Sequence, residues 1–137
     1  MTNASSDTSA SRDRTVEAAN KQVVLSMWHE VLNGRDYAKA GQYIAQDYIQ
    51  HSPSAGQGLA ALIEFLKWEL GEGPLEPGSY ELTDFVHVMA EGDLVQLMFQ
   101  RAIPNPKAPA ETIKVWWYDT YRLRDGMIVE HWDSALE

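Results

Sequence analysis

The sequence predicts an α+β domain in which helices come first and a curved antiparallel sheet follows. Apolar residues recur with the helical period in the first half of the chain, whereas they alternate with polar residues after Ser79. Acidic residues and glycine stand together between the apolar runs of the second half, which is typical of hairpin turns. We expect helices packed across one face of this sheet to enclose a pocket.

The first half of the chain contains three helical patterns. The segments predicted as helices are residues 16 to 32, 37 to 45 and 56 to 70. A brief extended stretch, DYIQHSP (residues 47 to 53), separates the second pattern from the third. The Gly- and Pro-rich loop GEGPLEPG (residues 71 to 78) then ends the helical half.

The second half of the chain contains four strand patterns. The segments predicted as strands are residues 79 to 90, 94 to 103, 112 to 123 and 127 to 133. Residues 91 to 93 (EGD) and 124 to 126 (RDG) lie at hairpin positions. Three prolines between residues 104 and 109 predict a longer connection between the second and third of these strands.

The composition narrows the class of protein. A chain of 137 residues fits one domain, here residues 16 to 137, preceded by a polar, disordered tail of residues 1 to 15. The net charge of −9, without a cluster of Lys or Arg, argues against a nucleic-acid partner and against anionic membranes. The chain has no cysteine, which excludes disulfides and thiolate chemistry. Because no secretory or membrane-spanning pattern is present, we expect a cytoplasmic protein.

The alternation of side chains along the strands selects the residues that face the pocket. Asp119 is the single carboxylate on the apolar face of the third predicted strand, and Arg101 is the single cation on that of the second. His131 and Asp133 share a face of the last strand. Buried charges need partners or a wet cavity, and ionisable groups gathered in an apolar pocket are typical of proton-transfer sites.

Structural roles remain open for each of these residues. Asp119 alternatively forms a structural pair with Arg101 or His131, and Asp133 alternatively is a solvated residue near the terminus. His131 alternatively is a hydrogen-bonded core histidine. The residues predicted to contact a substrate are Trp28, Phe99, Arg101, Trp117, Tyr121 and His87, although the parity of His87 is ambiguous. The histidine spacing and the lack of nucleotide-binding motifs predict neither a metal nor a cofactor.

Two motifs resemble those of a known family. The stretch DYIQHSP (residues 47 to 53), followed by Gly58, and the stretch DTYRLRDGMIVEHWD (residues 119 to 133) are similar to the SnoaL-like polyketide cyclases of the NTF2-like superfamily. The resemblance covers residues 16 to 133. It implies an NTF2-like α+β cone, often a homodimer that packs sheet faces, and an intramolecular aldol condensation without metal or cofactor.

The resemblance also implies roles for individual residues. Asp133 matches the carboxylate that acts as the acid/base, and His51 occupies the position of a polar side chain that helps to hold the substrate's carbonyl. Position 119, where cyclases can carry histidine, is Asp119 here, which could donate a hydrogen bond to an oxyanion if it were protonated. We therefore predict catalysis by Asp133, supported by Asp119, His131 and His51, on a small hydrophobic carbonyl compound.

Two other functions stay open at this point. Asp119, Arg101 and Asp133 supply the residue types of an epoxide hydrolase, although limonene-type enzymes carry Arg-x-Asp on one strand and this strand has Phe99-Gln100-Arg101. A non-enzymatic ligand-binding module is the third possibility. A homodimer is expected because the outer face of the predicted sheet carries large apolar groups. These are Leu94, Met98, Trp116, Tyr118 and Trp132.

Overall fold

The computed structural model describes residues 12 to 135 and has the predicted α+β architecture of an NTF2-like cone. Its helical elements are α1 (Arg14–Met27), a π-helical turn (Trp28–Asn33), a 3₁₀ helix (Tyr37–Gln42) and α2 (Gly58–Leu70). Helix α1 begins after Asp13, whose carboxylate accepts hydrogen bonds from the backbone N–H groups of Thr15 and Val16. Of the predicted tail, residues 1 to 11 lie outside the described residues, whereas residues 14 and 15 already belong to α1.

Five strands form one curved sheet in the order β1-β5-β4-β3-β2. They are β1 (Ile44–Gln50), β2 (His87–Glu91), β3 (Leu94–Asn105), β4 (Ala108–Arg124) and β5 (Met127–Asp133). Strands β2 to β5 form the predicted antiparallel meander. Strand β1 pairs with β5 in parallel, so the sheet is mixed. The short stretch DYIQHSP thus contributes to an edge strand beside the last strand of the chain.

Two strand predictions differ from the structure. The first predicted strand is shorter, because Thr83 bonds to the side chain of Asn33 and only residues from His87 onward form β2. The predicted long connection at the prolines is a tight turn between β3 and β4 at residues 106 and 107. Pro104 is tolerated because it lies beside the turn, at the end of the β3–β4 ladder, where a missing backbone N–H removes few hydrogen bonds.

The hydrophobic core lies between the helices and the inner face of the sheet. Alternate residues of β3 and β4 point inward, and Val95 and Leu97 are fully buried against Val24 and Val31 of the helical layer. The opposite, outer face keeps Trp116 and Met89 more than half exposed. Among residues 12 to 135, no helix is both long and apolar enough to cross a membrane. The cytoplasmic location stays a prediction.

Candidate active site

A pocket of about 280 Å³ lies between the helices and the inner face of the sheet. This volume is close to the lower end of the range for small-molecule sites, about 300 to 1,000 Å³. Most of its lining is apolar or aromatic. The predicted site residues that line it are Trp28, Phe99, Arg101, Trp117, Asp119, Tyr121, His131 and Asp133. The side chains that alternation assigned to the inner faces of β3, β4 and β5 thus line this pocket.

The two remaining predicted site residues, His51 and His87, do not line the pocket. His51 lies on the outer face, where its ring stacks on Trp132 at 4.8 Å between centroids and its Nε2 contacts Glu130. His87 pairs with Met98 at the β2–β3 ladder, on the same outer face. Strand parity explains both positions. At the end of β1, Gln50 points into the pocket and the next residue, His51, points away from it. In β2, His87 shares the outward face of its partner Met98. The predicted carbonyl-holding role of His51 does not fit this position.

Strand register brings the ionisable residues together. Asp119 of β4 lies directly opposite Asp133 of β5, and the next rung on the same face pairs Tyr121 with His131. The parallel ladder between β1 and β5 then places Gln50 beside His131. In the sequence EHWD, the second and fourth residues consequently face the pocket while the first and third face outward.

Asp119 and His131 form a buried pair. Nε2 of His131 lies 2.7 Å from Oδ1 of Asp119, and both residues are almost inaccessible to solvent. Burial raises the pKa of the Asp119 carboxyl, the hydrogen bond to His131 opposes this rise, and the charge of Asp133 adds to it. The hydrogen bond to His131 thus gives Asp119, the carboxylate predicted on an apolar face, a buried partner.

Two inward-facing residues of β1 complete the polar side of the pocket. The side chain of Gln50 contacts Nδ1 of His131 at 2.9 Å through Oε1, and its Nε2 donates to the hydroxyl oxygen of Tyr48 at 2.6 Å. Both residues are buried and both line the pocket. The sequence prediction missed them because it treated residues 47 to 53 as a motif and did not apply strand alternation there.

Among residues 12 to 135, the hydroxyls of two pocket tyrosines have no hydrogen-bond acceptor and can donate to a ligand. The oxygen of Tyr48 accepts from an amide N–H of Gln50, and the oxygen of Tyr121 accepts from the indole N–H of Trp28 at 2.9 Å. An amide N–H and an indole N–H can only donate, so each hydroxyl keeps its own hydrogen for another acceptor. Burial raises the pKa of both tyrosines, which keeps both hydroxyls protonated.

Asp133 is the second aspartate of the pocket, and it is half-buried. Its Oδ1 accepts a hydrogen bond from the backbone N–H of Ala135 at 3.0 Å. Within residues 12 to 135, its other carboxylate oxygen has no hydrogen-bond partner. Asp133 thus offers the pocket an oxygen that can accept a proton.

Arg101 bonds to neither of the two pocket aspartates, Asp119 and Asp133. Its guanidinium bonds to Glu69 of α2 at 2.7 Å and lies over the ring of Trp117, 4.4 Å from the centroid. Both partners of this ion pair keep about a third of their side chains exposed to solvent, at 37% and 30%. Arg101 therefore connects helix to sheet at the rim of the pocket, where the charge is partly solvated.

Asp119, His131 and Asp133 each offer one potential metal-ligand atom, and these atoms lie within 4.8 Å of one another. However, the 2.7 Å between His131 and Asp119 is a hydrogen-bond distance. Ligands bound at about 2.0 to 2.2 Å around one ion lie roughly 3 Å or more apart. A proton fits between these two atoms better than a metal ion does. The predicted absence of a metal stays a prediction.

Together, the fold and the pocket define an NTF2-like α+β protein with an acidic, largely apolar cavity. The family model of the SnoaL-like domain matches residues 25 to 131. The chain therefore belongs to the SnoaL-like family, as its motifs predicted. No curated protein matches it in sequence.

Solved structures share this fold at low sequence identity. A protein from Jannaschia sp. CCS1, provisionally described as a SnoaL-like polyketide cyclase, is 20% identical, with a TM-score of 0.62 over 86% of this chain and 85% of that one. An LEH-like epoxide hydrolase from M. tuberculosis is 16% identical, with a TM-score of 0.61 over 85% and 82%. A protein of unknown function with a cystatin-like fold from Xanthomonas campestris is 22% identical, with a TM-score of 0.63 over 86% and 91%.

Proposed function

We propose that the protein is an enzyme that needs no cofactor and acts on a small hydrophobic carbonyl compound by proton transfer through an enolate, as in an intramolecular aldol condensation. The position of Asp133 carries this proposal. Asp133 lines an apolar pocket and lies opposite Asp119 of the buried Asp119–His131 pair, and one of its carboxylate oxygens has no hydrogen-bond partner among residues 12 to 135. A base of this kind contributes about 10²- to 10⁴-fold to a reaction rate.

The proposed reaction begins when Asp133 takes a proton from the carbon next to the substrate's carbonyl. The electrons of the broken C–H bond move onto the carbonyl oxygen, which becomes an enolate. The hydroxyls of Tyr48 and Tyr121 can donate to that oxygen and stabilise its charge. The enolate carbon then attacks a second carbonyl of the same molecule, and protonated Asp133 returns its proton to the new alkoxide.

This scheme changes the role that the sequence suggested for Asp119. A protonated Asp119 could donate to an oxyanion, but its Oδ1 lies against Nε2 of His131. A proton between those two atoms is not available to the substrate. Asp119 therefore acts on the pocket through His131, and the tyrosine hydroxyls replace it as donors.

The lining of the pocket defines the substrate class. Phe99, Trp117 and Phe65 supply aromatic walls, and Leu62 and Ile128 supply aliphatic ones. Such a surface favours a flat or aliphatic molecule with few polar groups, for example a compound of the polyketide or terpenoid type. The Arg101–Glu69 ion pair at the rim offers charges to any polar end of that molecule.

The epoxide-hydrolase alternative is less well supported. It requires an arginine that bridges two carboxylates around a water molecule, whereas the guanidinium of Arg101 bonds to Glu69. Asp119 instead bonds to His131. A non-enzymatic ligand-binding protein remains the other alternative, and the experiment below distinguishes it.

The test is α-proton exchange in heavy water, followed by NMR for a panel of polyketide-like and terpenoid-like carbonyl compounds. We expect the wild-type protein to exchange at least one compound. Asp133→Asn should slow that exchange by about 100-fold or more, because the base is lost while the shape is kept. Asp47→Asn, at an exposed position of β1, is the control and should exchange at the wild-type rate.

Three results would count against the proposal. A panel compound that binds in the pocket without exchange would favour a ligand-binding protein. Exchange by Asp133→Asn at the wild-type rate would remove Asp133 as the base. Loss of exchange after dialysis against a chelator, with recovery on adding a divalent metal, would replace the metal-free scheme.

A further inference from the structure

The orientation of the Gln50 carboxamide is fixed by a backbone group. The N–H of Ser52 donates to Oε1 of Gln50 at 2.9 Å. A carboxamide rotated by half a turn would put an NH₂ donor against this N–H donor, and the hydrogen bond would be lost. On its other side, Nε2 of Gln50 donates to the oxygen of Tyr48 at 2.6 Å. Oε1 is thus the atom that faces His131.

The Gln50 orientation determines one proton of His131. Oε1 of Gln50 is an acceptor only, and it lies 2.9 Å from Nδ1 of His131. A hydrogen bond at this distance needs a hydrogen on Nδ1. In the neutral imidazole, Nε2 would then be a bare acceptor. That acceptor lies 2.7 Å from Oδ1 of Asp119, which is a second acceptor when Asp119 is ionised.

Two bare acceptors buried at 2.7 Å repel each other, so a proton must lie between them. We infer that Gln50 is a positioning residue that keeps Nδ1 of His131 protonated and thereby makes the Asp119–His131 pair hold one further proton between Nε2 and Oδ1. The pair is an imidazolium with a carboxylate or a neutral imidazole with a carboxylic acid. Its net charge is zero in both forms. The more common arrangement of a histidine and an aspartate, with one proton fewer, has a net charge of −1.

The groups around the pair are compatible with the additional proton. Asp133 lies opposite Asp119, and its negative charge favours a proton on the pair. Tyr121 stacks on the imidazole at 4.7 Å, and Tyr48 adjoins Gln50; both hydroxyls are neutral. The positive charge of Arg101 on β3 opposes the proton, but Glu69 of α2 neutralises this guanidinium at 2.7 Å.

The additional proton matters for the base. Asp119 and Asp133 lie opposite each other on one rung, and two negative carboxylates there would repel. With the Asp119–His131 pair neutral, Asp133 faces no net negative charge across this rung. The position of the proton needs no substrate and does not depend on the proposed function. Its use in sparing Asp133 the repulsion of a second negative carboxylate rests on that function.

The experiment is long-range ¹H–¹⁵N NMR of histidine-labelled protein over a pH series. We expect Nδ1 of His131 to be protonated throughout in the wild-type protein. Gln50→Glu keeps an acceptor and adds a negative charge, so the pair should release its proton about one pH unit or more higher. Gln50→Met removes the acceptor at similar size, so the proton should leave about one unit or more lower. His51→Asn, the adjacent outward-facing position, is the control and should leave the titration of His131 unchanged.

The inference is overturned if wild-type His131 is protonated at Nε2 and bare at Nδ1 near neutral pH. It is also overturned if Gln50→Glu and Gln50→Met release the proton at the same pH as the wild type. Should Gln50→Met not fold, the wild-type spectrum and Gln50→Glu still decide. These spectra need no substrate, so a failed substrate panel would reject the proposed function alone. With a substrate in hand, Gln50→Met should also move the acidic limb of the rate profile to higher pH.

Discussion

Two histidine–carboxylate pairs lie on opposite faces of the same sheet, and both close at 2.7 Å. On the inner face, the side chains of His131 and Asp119 are 11% and 7% exposed. On the outer face, those of His51 and Glu130 are 41% and 19% exposed. Hydrogen-bond distance alone does not distinguish the two pairs. Their surroundings do.

The pKa values of the two carboxyls, Asp119 and Glu130, are shifted in opposite directions. Burial raises the pKa of Asp119 despite its hydrogen bond to His131. The hydrogen bond from His51 has the largest effect on Glu130 and lowers its pKa, and Arg122 lowers it further. Burial acts in the opposite direction but has a smaller effect than His51. Burial therefore favours the protonated form of the inner carboxyl, whereas the outer pair is an ordinary surface ion pair. Chemistry is expected on the inner face and association on the outer one.

The largest expected difference between the faces concerns packing. Leu97→Ala removes a fully buried side chain from the inner face and should cost about 2 to 5 kcal/mol in the free energy of unfolding. Met89→Ala, at a 53% exposed position on the outer face, should change it by about 0.5 kcal/mol or less. Urea denaturation measures both. Equal losses would mean that a partner surface buries Met89.

The second prediction concerns association through the outer face. We expect a homodimer, because Trp116 is 54% and Tyr118 40% exposed on neighbouring positions of β4. Trp116→Lys should weaken dimerisation by about 100-fold, or 2.7 kcal/mol, because an interfacial aromatic is replaced by a charge. Analytical ultracentrifugation measures it against Lys114→Ala as the control. A wild-type species at the chain mass of 15.4 kDa under micromolar conditions would contradict the dimer.

The third prediction uses pH to separate the two pairs. Because the pKa of Asp119 is raised on folding, its contribution to stability is complete below 3.8 and is lost as the pH rises through the folded value. The pKa of Glu130 is lowered, so its contribution is present above 4.5 and is lost as the pH falls through the folded value. Relative to Asp119→Asn, the wild-type Tm should fall as the pH rises.

Relative to Glu130→Gln, the wild-type Tm should instead fall as the pH drops below 4.5. Scanning calorimetry at matched ionic strength provides both series. Slopes of the same sign for the two variants would show that burial does not separate the two pairs.

The smallest expected effect is that of His51→Ala. His51 stacks on Trp132 and bonds to Glu130, but its side chain is 41% exposed. Stacks and ion pairs at such positions contribute little, so Tm should change by about 2 °C or less. Substrate turnover should remain at the wild-type level because His51 lies outside the pocket. A loss of turnover in a folded variant would return His51 to the site.

The sequence was sufficient to predict the element order and the inner faces of the last three strands. Periodicity distinguishes helix from strand directly, and alternation placed Asp119, His131 and Asp133 on one face without any tertiary information. The turn at the prolines and the shortened β2 were not predictable in this way. The tight turn depends on how far the β3–β4 ladder extends, and the shortened β2 depends on the hydrogen bond from Asn33 to Thr83. Both are tertiary features.

The polar side of the site was less predictable. Asp119 bonds to His131, which is one of the two structural partners that the sequence left open. Only the register of the strands decides between His131 and Arg101. Gln50 joins the site through the parallel ladder between β1 and β5. Parallel strands have no hairpin between them, so nothing local in the sequence marks the partner of β1. The motif instead drew attention to His51, one residue away and on the other face.

The parallel ladder between β1 and β5 also affects how the chain folds. Gln50 and His131 are 81 residues apart in sequence, so this contact closes the whole loop that contains α2, β2, β3 and β4. Contacts of such long sequence separation lose much chain entropy before they gain packing energy, and they form late and slowly. The helices and the meander can assemble while β1 is still an unpaired edge. Docking of β1 onto β5 then joins Gln50 to His131, so we expect the contact that orients His131 to form after its contact with Asp119 in the β4–β5 hairpin.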